Sequence, residues 1–164
     1  MARTTADSTV TLSVLDRLID REPGSQSEAP LGRSQSERLL KAAVQRDLEW
    51  LLNTRRIFEE PDDSLKEVNR SVYNFGLPDF SQYTMLSQAD QSKLMRQVIA
   101  AIKTYEPRLA NVRIVPLESA VVQQFHMRIE GMLLMDPSPQ PVSFDTLIGL
   151  KSGTCRISGG ASAG

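Results

Sequence analysis

The hydrophobic pattern changes its period at Pro107, and this change limits the chain to one class of fold. Before Pro107 apolar residues recur every three or four positions, and after it they alternate with polar residues. Proline disfavours helical backbone at the residue before it, so the preceding helix must end at Tyr105 or Glu106. Helices first and strands last predict an α+β fold, with N-terminal helices packed on a small, mainly antiparallel C-terminal β-sheet in two layers.

Three helices are predicted before this boundary. The first covers about residues 12–21, and the second begins with a capping box formed by Ser34 and Glu37. A third opens at Ser87, where Asp90 completes a second capping pair. A turn-rich segment precedes the third helix, and there we expect a glycine, Gly76, to adopt a positive φ angle.

Three strands are predicted after the boundary. The first contains Val112 and Ile114, and the second runs through Phe125, Met127 and Ile129 to Gly131, which is a candidate β-bulge. The third alternates the apolar residues Val142 and Phe144 with the polar residues Ser143 and Asp145. We expect this last strand to be an edge of the sheet, where a strand from another chain could be added.

The length of 164 residues is that of one domain, large enough to bury a core without disulfide bonds or metal sites. The first residues are small and polar, so we expect residues 1–11 to be flexible and residues 12–150 to form the domain. Residues 151–164 are rich in Gly, Ser and Ala, and we predict a second flexible segment there. Its single cysteine, Cys155, is then an inert thiol.

The charges nearly cancel, with 19 Lys and Arg residues against 20 Asp and Glu residues. The chain therefore has no overall field that would attract nucleic acid or an anionic membrane. No stretch approaches the roughly 18 consecutive apolar residues of a membrane span, and the first residues lack the apolar run of a secretory signal. These observations predict a cytoplasmic protein whose contact with a membrane is made through partners.

Catalytic motifs are not found in the sequence. It has no phosphate-binding loop, no dinucleotide-binding glycine pattern and no nucleophile elbow, and one His with one Cys cannot form a common structural zinc site. His126 lies on the polar side of a predicted strand, which favours a surface position. We predict no catalytic residue, no cofactor and no metal, although a pair of distant carboxylates remains an open alternative.

Three clusters of residues have both a structural and a functional interpretation. The helix from Arg46 ends in Arg55 and Arg56, which either complement the helix dipole or form a guanidinium patch for a partner's carboxylate. The segment 73–80 is a turn packed with aromatic residues or a binding surface. The tripeptide 106–108 places a carboxylate and a guanidinium on either side of a rigid proline, for a local ion pair or for contacts with other chains.

Together the clusters resemble one family, formed by the TssE baseplate subunits of bacterial type VI secretion systems and the phage baseplate wedge proteins described as lysozyme-like. The resemblance covers about residues 12–148. Its motifs are Leu15-Asp-Arg-Leu18, Arg46-Asp-Leu48, Leu51-Leu-Asn-Thr-Arg-Arg56, Ser71-Val-Tyr-Asn-Phe-Gly-Leu-Pro-Asp79 and Glu106-Pro-Arg-Leu109.

The resemblance implies a non-enzymatic, cytoplasmic wedge subunit beneath a contractile sheath. Its implied partners are wedge subunits of TssF, TssG and TssK type, and the first ring of sheath subunits. Glu106, Pro107 and Arg108 match the family's signature motif and take its role at wedge contacts, with Asp47, Arg55 and Arg56 as further interaction residues.

The alternative function is a peptidoglycan-cleaving muramidase with two catalytic carboxylates, of which Glu106 would be the acid. Arg108 argues against this alternative, because a nearby cation lowers the pKa of a carboxylate that an acid catalyst needs raised.

Overall fold

The structure is a computed structural model that describes residues 13–19, 32–57, 61–84, 86–118 and 123–159. Helices come first and strands last, which confirms the predicted α+β fold. The helices are α1 (Val14–Leu18), α2 (Arg33–Asn53), α3 (Lys66–Arg70), a 3-10 turn (Val72–Asn74) and α4 (Gln88–Tyr105). The strands are β1 (Leu109–Pro116), β2 (Gln124–Leu133), β3 (Gln140–Gly149) and β4 (Cys155–Gly159).

The four strands form one antiparallel sheet in the order β1-β2-β3-β4. Helix α2 packs beside β4 and α4 packs beside β1, so the two long helices form one layer over the sheet. Their buried stripes, with Leu48 and Leu52 on α2 and Val98 and Ile102 on α4, join one core with the inner face of the sheet. Strands β1 and β4 are the two edge strands of this sheet.

Of the two predicted helix caps, one is confirmed and one is wrong. Helix α4 starts as predicted, since the Asp90 N–H donates to the Ser87 hydroxyl at 3.3 Å. The capping box predicted at Ser34 is wrong, because the N-cap of α2 is Gly32, two residues earlier. Of the predicted first helix, Val14–Leu18 is described, while residues 12, 20 and 21 lie outside the described residues.

Gly76 holds the segment after the 3-10 turn against the end of α2. Its φ of 108° confirms the predicted positive angle, and a Cβ atom there would lie 2.4 Å from the Thr54 carbonyl oxygen. The close approach lets the Leu77 N–H donate to Thr54 O at 2.9 Å and the Arg56 N–H donate to Leu77 O at 3.0 Å. Only glycine fits this position without moving the backbone.

The β-bulge lies opposite the glycine that was predicted to form it. Between Ala110 and Arg113, the two residues Asn111 and Val112 of β1 face the single residue Gly131 of β2, so the extra residue belongs to β1. Gly131 serves a close approach instead, since a Cβ atom there would lie 3.0 Å from the Ala110 carbonyl oxygen.

The C-terminal part of the chain contradicts two predictions. Strand β3, which contains Ser143, is flanked by β2 and β4 and is therefore not an edge strand. Residues 155–159 form β4, so the predicted flexible segment is wrong for this part, while residues 1–11 and 160–164 lie outside the described residues. The Gly- and Ser-rich composition of this segment does not indicate a strand. In the structure Cys155 and Ile157, which are 3% and 7% exposed, alternate with polar residues. Burial raises the pKa of the Cys155 thiol to about 12, so the thiol stays protonated at neutral pH.

We expect a chain that ends at Thr154 to lose at least about 2 kcal/mol of its free energy of unfolding, because the buried Ile157 side chain and the β3-β4 hydrogen bonds are removed. A chain that ends at Gly159 is the matched control and keeps the wild-type stability. Thermal unfolding of both chains measures the difference, and equal melting temperatures would show that β4 adds nothing to the fold.

Candidate functional site

The junction between α4 and β1 is fixed by backbone hydrogen bonds on both sides of Pro107. The Glu106 N–H closes the last turn of α4 on Ile102 O at 2.8 Å, and the Leu109 N–H donates to Glu106 O at 3.1 Å. The Leu134 N–H donates to Arg108 O at 2.8 Å, so the end of β2 also holds the junction. The side chains of Glu106 and Arg108 therefore project from a rigid backbone.

The side chains of Glu106 and Arg108 form a two-point ion pair. Arg108 Nε donates to Glu106 Oε1 at 2.6 Å, and Arg108 Nη2 donates to Glu106 Oε2. The Glu106 side chain is 4% exposed and that of Arg108 is 25% exposed. The hydrogen bonds to Glu106 outweigh burial and raise the pKa of Arg108, so the guanidinium is always charged.

Helix α2 joins this pair through Asp47. Arg108 Nη2 also donates to Asp47 Oδ2 at 2.6 Å, and Arg46 Nε donates to Asp47 Oδ1 at 2.9 Å. Arg46 then reaches α1, where its Nη1 donates to Asp16 Oδ1 at 2.7 Å. Asp16, Arg46, Asp47, Glu106 and Arg108 thus form one continuous set of ion pairs, which we call the charge network.

The charge network carries three carboxylates and two guanidinium groups, a net charge of −1. Burial opposes ionisation of Asp16, yet hydrogen bonds from Ser13 and Arg46 outweigh it and lower the pKa of this carboxyl group. The hydrogen bond to Asp16 likewise raises the pKa of Arg46. Acidic and basic side chains alternate along the network, so it forms an oriented pattern of opposite charges.

One hydrogen-bond donor of Arg108 is unpaired within the described part of the chain. Its Nη1 nitrogen is buried and has no hydrogen-bond partner there. Buried polar atoms are nearly always paired in folded proteins, and an unpaired donor costs about 1–3 kcal/mol. This donor is buried, so another molecule can reach only the exposed part of the Arg108 side chain, which is 25% of its surface.

Exposed apolar side chains surround the network on the side of α1. The Leu15 and Leu18 side chains of α1 are 50% and 76% exposed, and Trp50 of α2 is 55% exposed. The Arg46 guanidinium lies 5.1 Å from the centre of the Trp50 ring, so this tryptophan borders the network directly. An apolar surface around oriented charges is typical of protein interfaces, whose centres are rich in aromatic residues and arginine.

The other predicted interaction residues lie elsewhere. Arg55 holds the β3-β4 turn, since its Nη2 donates to Gly153 O at 2.6 Å and its guanidinium stacks 4.1 Å from the Phe80 ring centre. Arg56 lines a recess of about 210 Å³ together with Asn74 and Tyr105. The structure thus brings Glu106, Arg108 and Asp47 together and places Arg55 and Arg56 apart from them.

Sequence reasoning did not single out Asp16 and Arg46 as site residues. Both belong to motifs that carried the resemblance, Leu15-Asp-Arg-Leu18 and Arg46-Asp-Leu48. The sequence therefore showed a charged residue in each motif. It did not show that Asp16 and Arg46 form an ion pair, because they lie 30 residues apart and their contact depends on how α1 docks on α2.

The geometry does not favour a hydrolase. Both carboxylate oxygens of Glu106 are occupied by Arg108, and its side chain is nearly inaccessible, so a substrate cannot reach it. His126 is partly exposed, and its ring nitrogen Nδ1 lies 3.4 Å from the Glu118 carbonyl oxygen. Among the described residues, no group of three or more His, Cys, Asp or Glu side chains could hold a metal ion.

Comparisons with known proteins identify the family. None of the helices in the described ranges is long and apolar enough to span a membrane. No curated protein and no solved structure gives a significant match. The family model described as baseplate wedge protein gp25 matches residues 38–138, more than half of the chain, from within α2 through β2. The matched range includes Asp47, Glu106 and Arg108 of the charge network, and the chain belongs to the family of gp25 baseplate wedge proteins.

Proposed function

We propose that this protein is a structural wedge subunit in the baseplate of a bacterial type VI secretion system. The observation that carries the proposal is the charge network, which holds the partly exposed Arg108 side chain in one orientation beside exposed apolar side chains. A carboxylate or carbonyl oxygen of another wedge subunit would contact the exposed part of this side chain. The partners proposed for this contact are subunits of TssF, TssG and TssK type.

Orientation of Arg108 before binding is the physical advantage of such a network. A free arginine side chain loses rotamer entropy when an interface immobilises it, at a cost of about 0.5–1.5 kcal/mol. Glu106 and Asp47 already hold this guanidinium, so the cost is met during folding. Leu15, Leu18 and Trp50 then supply apolar area beside the polar contact.

The proposal extends to the contractile sheath. An antiparallel sheet with an unpaired edge can template a strand from another chain, and the sheet described above has two outer strands. We propose that a sheath subunit adds a strand here when the sheath starts to assemble in the cytoplasm, while other subunits connect the baseplate to the inner membrane. Turnover of a substrate is not part of this function.

We expect Arg108→Lys to separate folding from wedge binding. Lysine keeps a cation between Glu106 and Asp47 but lacks the planar guanidinium that Arg108 would present to an acceptor of the partner, so the free protein folds while binding weakens by about 2–5 kcal/mol. Co-purification of the wedge subunits measures binding, and a melting curve of the free protein measures folding. Wedge binding at the wild-type level would show that Arg108 is not part of the interface.

Arg108→Ala is the companion variant, and we expect it to lower the stability of the free protein by about 1–3 kcal/mol, because it leaves the buried Glu106 carboxylate without its partner. Lys103→Ala is a matched control, since this exposed cation lies near the end of α4 outside the network. We expect the control to retain both stability and wedge binding.

We expect the purified protein to release no soluble fragments from peptidoglycan, since Glu106 is enclosed by Arg108. Turbidity clearing and chromatography of digested peptidoglycan measure this activity. Hydrolysis that disappears in a folded Glu106→Gln variant would identify a muramidase and overturn the proposed function.

A further inference from the structure

Strand β4 has an outer edge whose backbone groups are already bound by α2. The Gly149 N–H donates to Thr154 O at 2.8 Å, which fixes the alternation of the β3-β4 ladder. Along the ladder from this pair, every second residue of each strand again directs its N–H and C=O groups toward the other strand. Cys155 and Ile157 lie between these positions, so their N–H and C=O groups point away from β3. These outward groups form the edge to which a fifth strand would pair.

Two amide side chains of α2 occupy that edge. Asn53 Oδ1 accepts from the Cys155 N–H at 2.8 Å, and Asn53 Nδ2 donates to Cys155 O at 2.9 Å. Gln45 Nε2 donates to Ile157 O at 2.8 Å. Three of the four outward groups of these two residues are therefore bonded, and Asn53 reproduces the two-bond exchange that a residue of a neighbouring strand would make.

The outer edge of β1 is different. The Leu117 N–H donates to His126 O at 2.9 Å, so alternate residues of β1 face β2 while Ile114 and Pro116 face away. Within the described ranges no hydrogen-bond partner contacts the outward N–H and C=O of Ile114. Within the part of the chain that the structure describes, this edge is open to a strand from another chain.

The β1 edge also restricts how a strand can pair. Pro116 has no N–H to offer, and the bulge at Asn111 and Val112 interrupts the ladder on the other side. The two-bond exchange is therefore centred on Ile114. Because the Ile114 side chain packs against the core, the residue that pairs with it would also lie on the helix-covered face and should be apolar.

We infer that this sheet accepts an added strand only at its β1 edge, opposite Ile114, because Asn53 and Gln45 close its β4 edge. The occupant is an extended segment of another protein chain with an apolar residue opposite Ile114, and its assignment to a sheath subunit rests on the proposed function. One open edge gives the assembly a single direction, whereas two open edges would let copies of the protein pair through β4 as well.

Amide exchange of the free protein, followed by NMR, tests the closed edge without any partner. We expect the Cys155 amide to exchange at least about tenfold more slowly than the Ile114 amide, in line with one added hydrogen bond. Asn53→Ala should remove this protection, while the Arg156 amide, which faces β3, keeps its own. Exchange at Cys155 that is as fast as at Ile114 in the wild-type protein would overturn the closure.

Sedimentation velocity at rising protein concentration tests what the closure prevents. We expect the double variant Gln45→Ala with Asn53→Ala to self-associate through its exposed β4 edge, while the wild-type protein stays monomeric. Gln35→Ala removes an exposed amide from the same helix and is the matched control. A folded double variant that stays monomeric would show that Asn53 and Gln45 do not guard this edge.

The open edge is tested by sheath assembly in cells. Ile114→Pro removes the outward N–H without removing a hydrogen bond to β2, and Ile114→Ala removes the side chain while keeping the N–H. We expect the proline variant to bind the wedge subunits and fail to start a sheath, and the alanine variant to retain sheath assembly. A folded proline variant that starts sheaths normally would overturn the assignment to β1. The exchange and sedimentation results stand on the free protein alone, so they separate this inference from the proposed function.

Discussion

The Arg108 guanidinium connects the three main parts of this structure. It lies at the start of β1, pairs with Glu106 at the end of α4, and reaches Asp47 in the middle of α2. The first strand and both long helices therefore meet at one cation. Because the Glu106 side chain is almost fully buried, removal of Arg108 would leave its carboxylate without its partner.

The charge network orients its residues within the fold, and the proposed function gives the same residues a second role in assembly. Inside the protein, alternating charges from Asp16 to Glu106 tie α1 and α2 to the α4-β1 junction. Such pairs add little net stability compared with apolar packing, yet they fix orientation. In the proposed wedge contact, a guanidinium held in one orientation would select a partner with an acceptor at one position.

The two edges of the sheet show a similar division of roles. Helix α2 lies beside β4 and its amide side chains bond to the backbone of that strand, whereas α4 covers the face of β1 and leaves its outer edge unpaired in the described residues. The difference follows from residue type at two positions of α2. Asparagine and glutamine carry both a donor and an acceptor, so they can replace a neighbouring strand, which an apolar or charged residue at the same place could not do.

The sequence by itself determined the fold class, because the change of hydrophobic period at Pro107 and the cap at Ser87 are local properties of the chain. It also marked Glu106, Arg108 and Asp47, which lie within residues 38–138 of the family match. Only the tertiary structure decided that Arg55 braces the β3-β4 turn, that residues 155–159 complete the sheet, and that Arg46 pairs with Asp16. The physical reason is distance along the chain: a period or a cap involves neighbours within a few residues, whereas an ion pair or an edge strand joins residues that only the packing of helices on the sheet brings together.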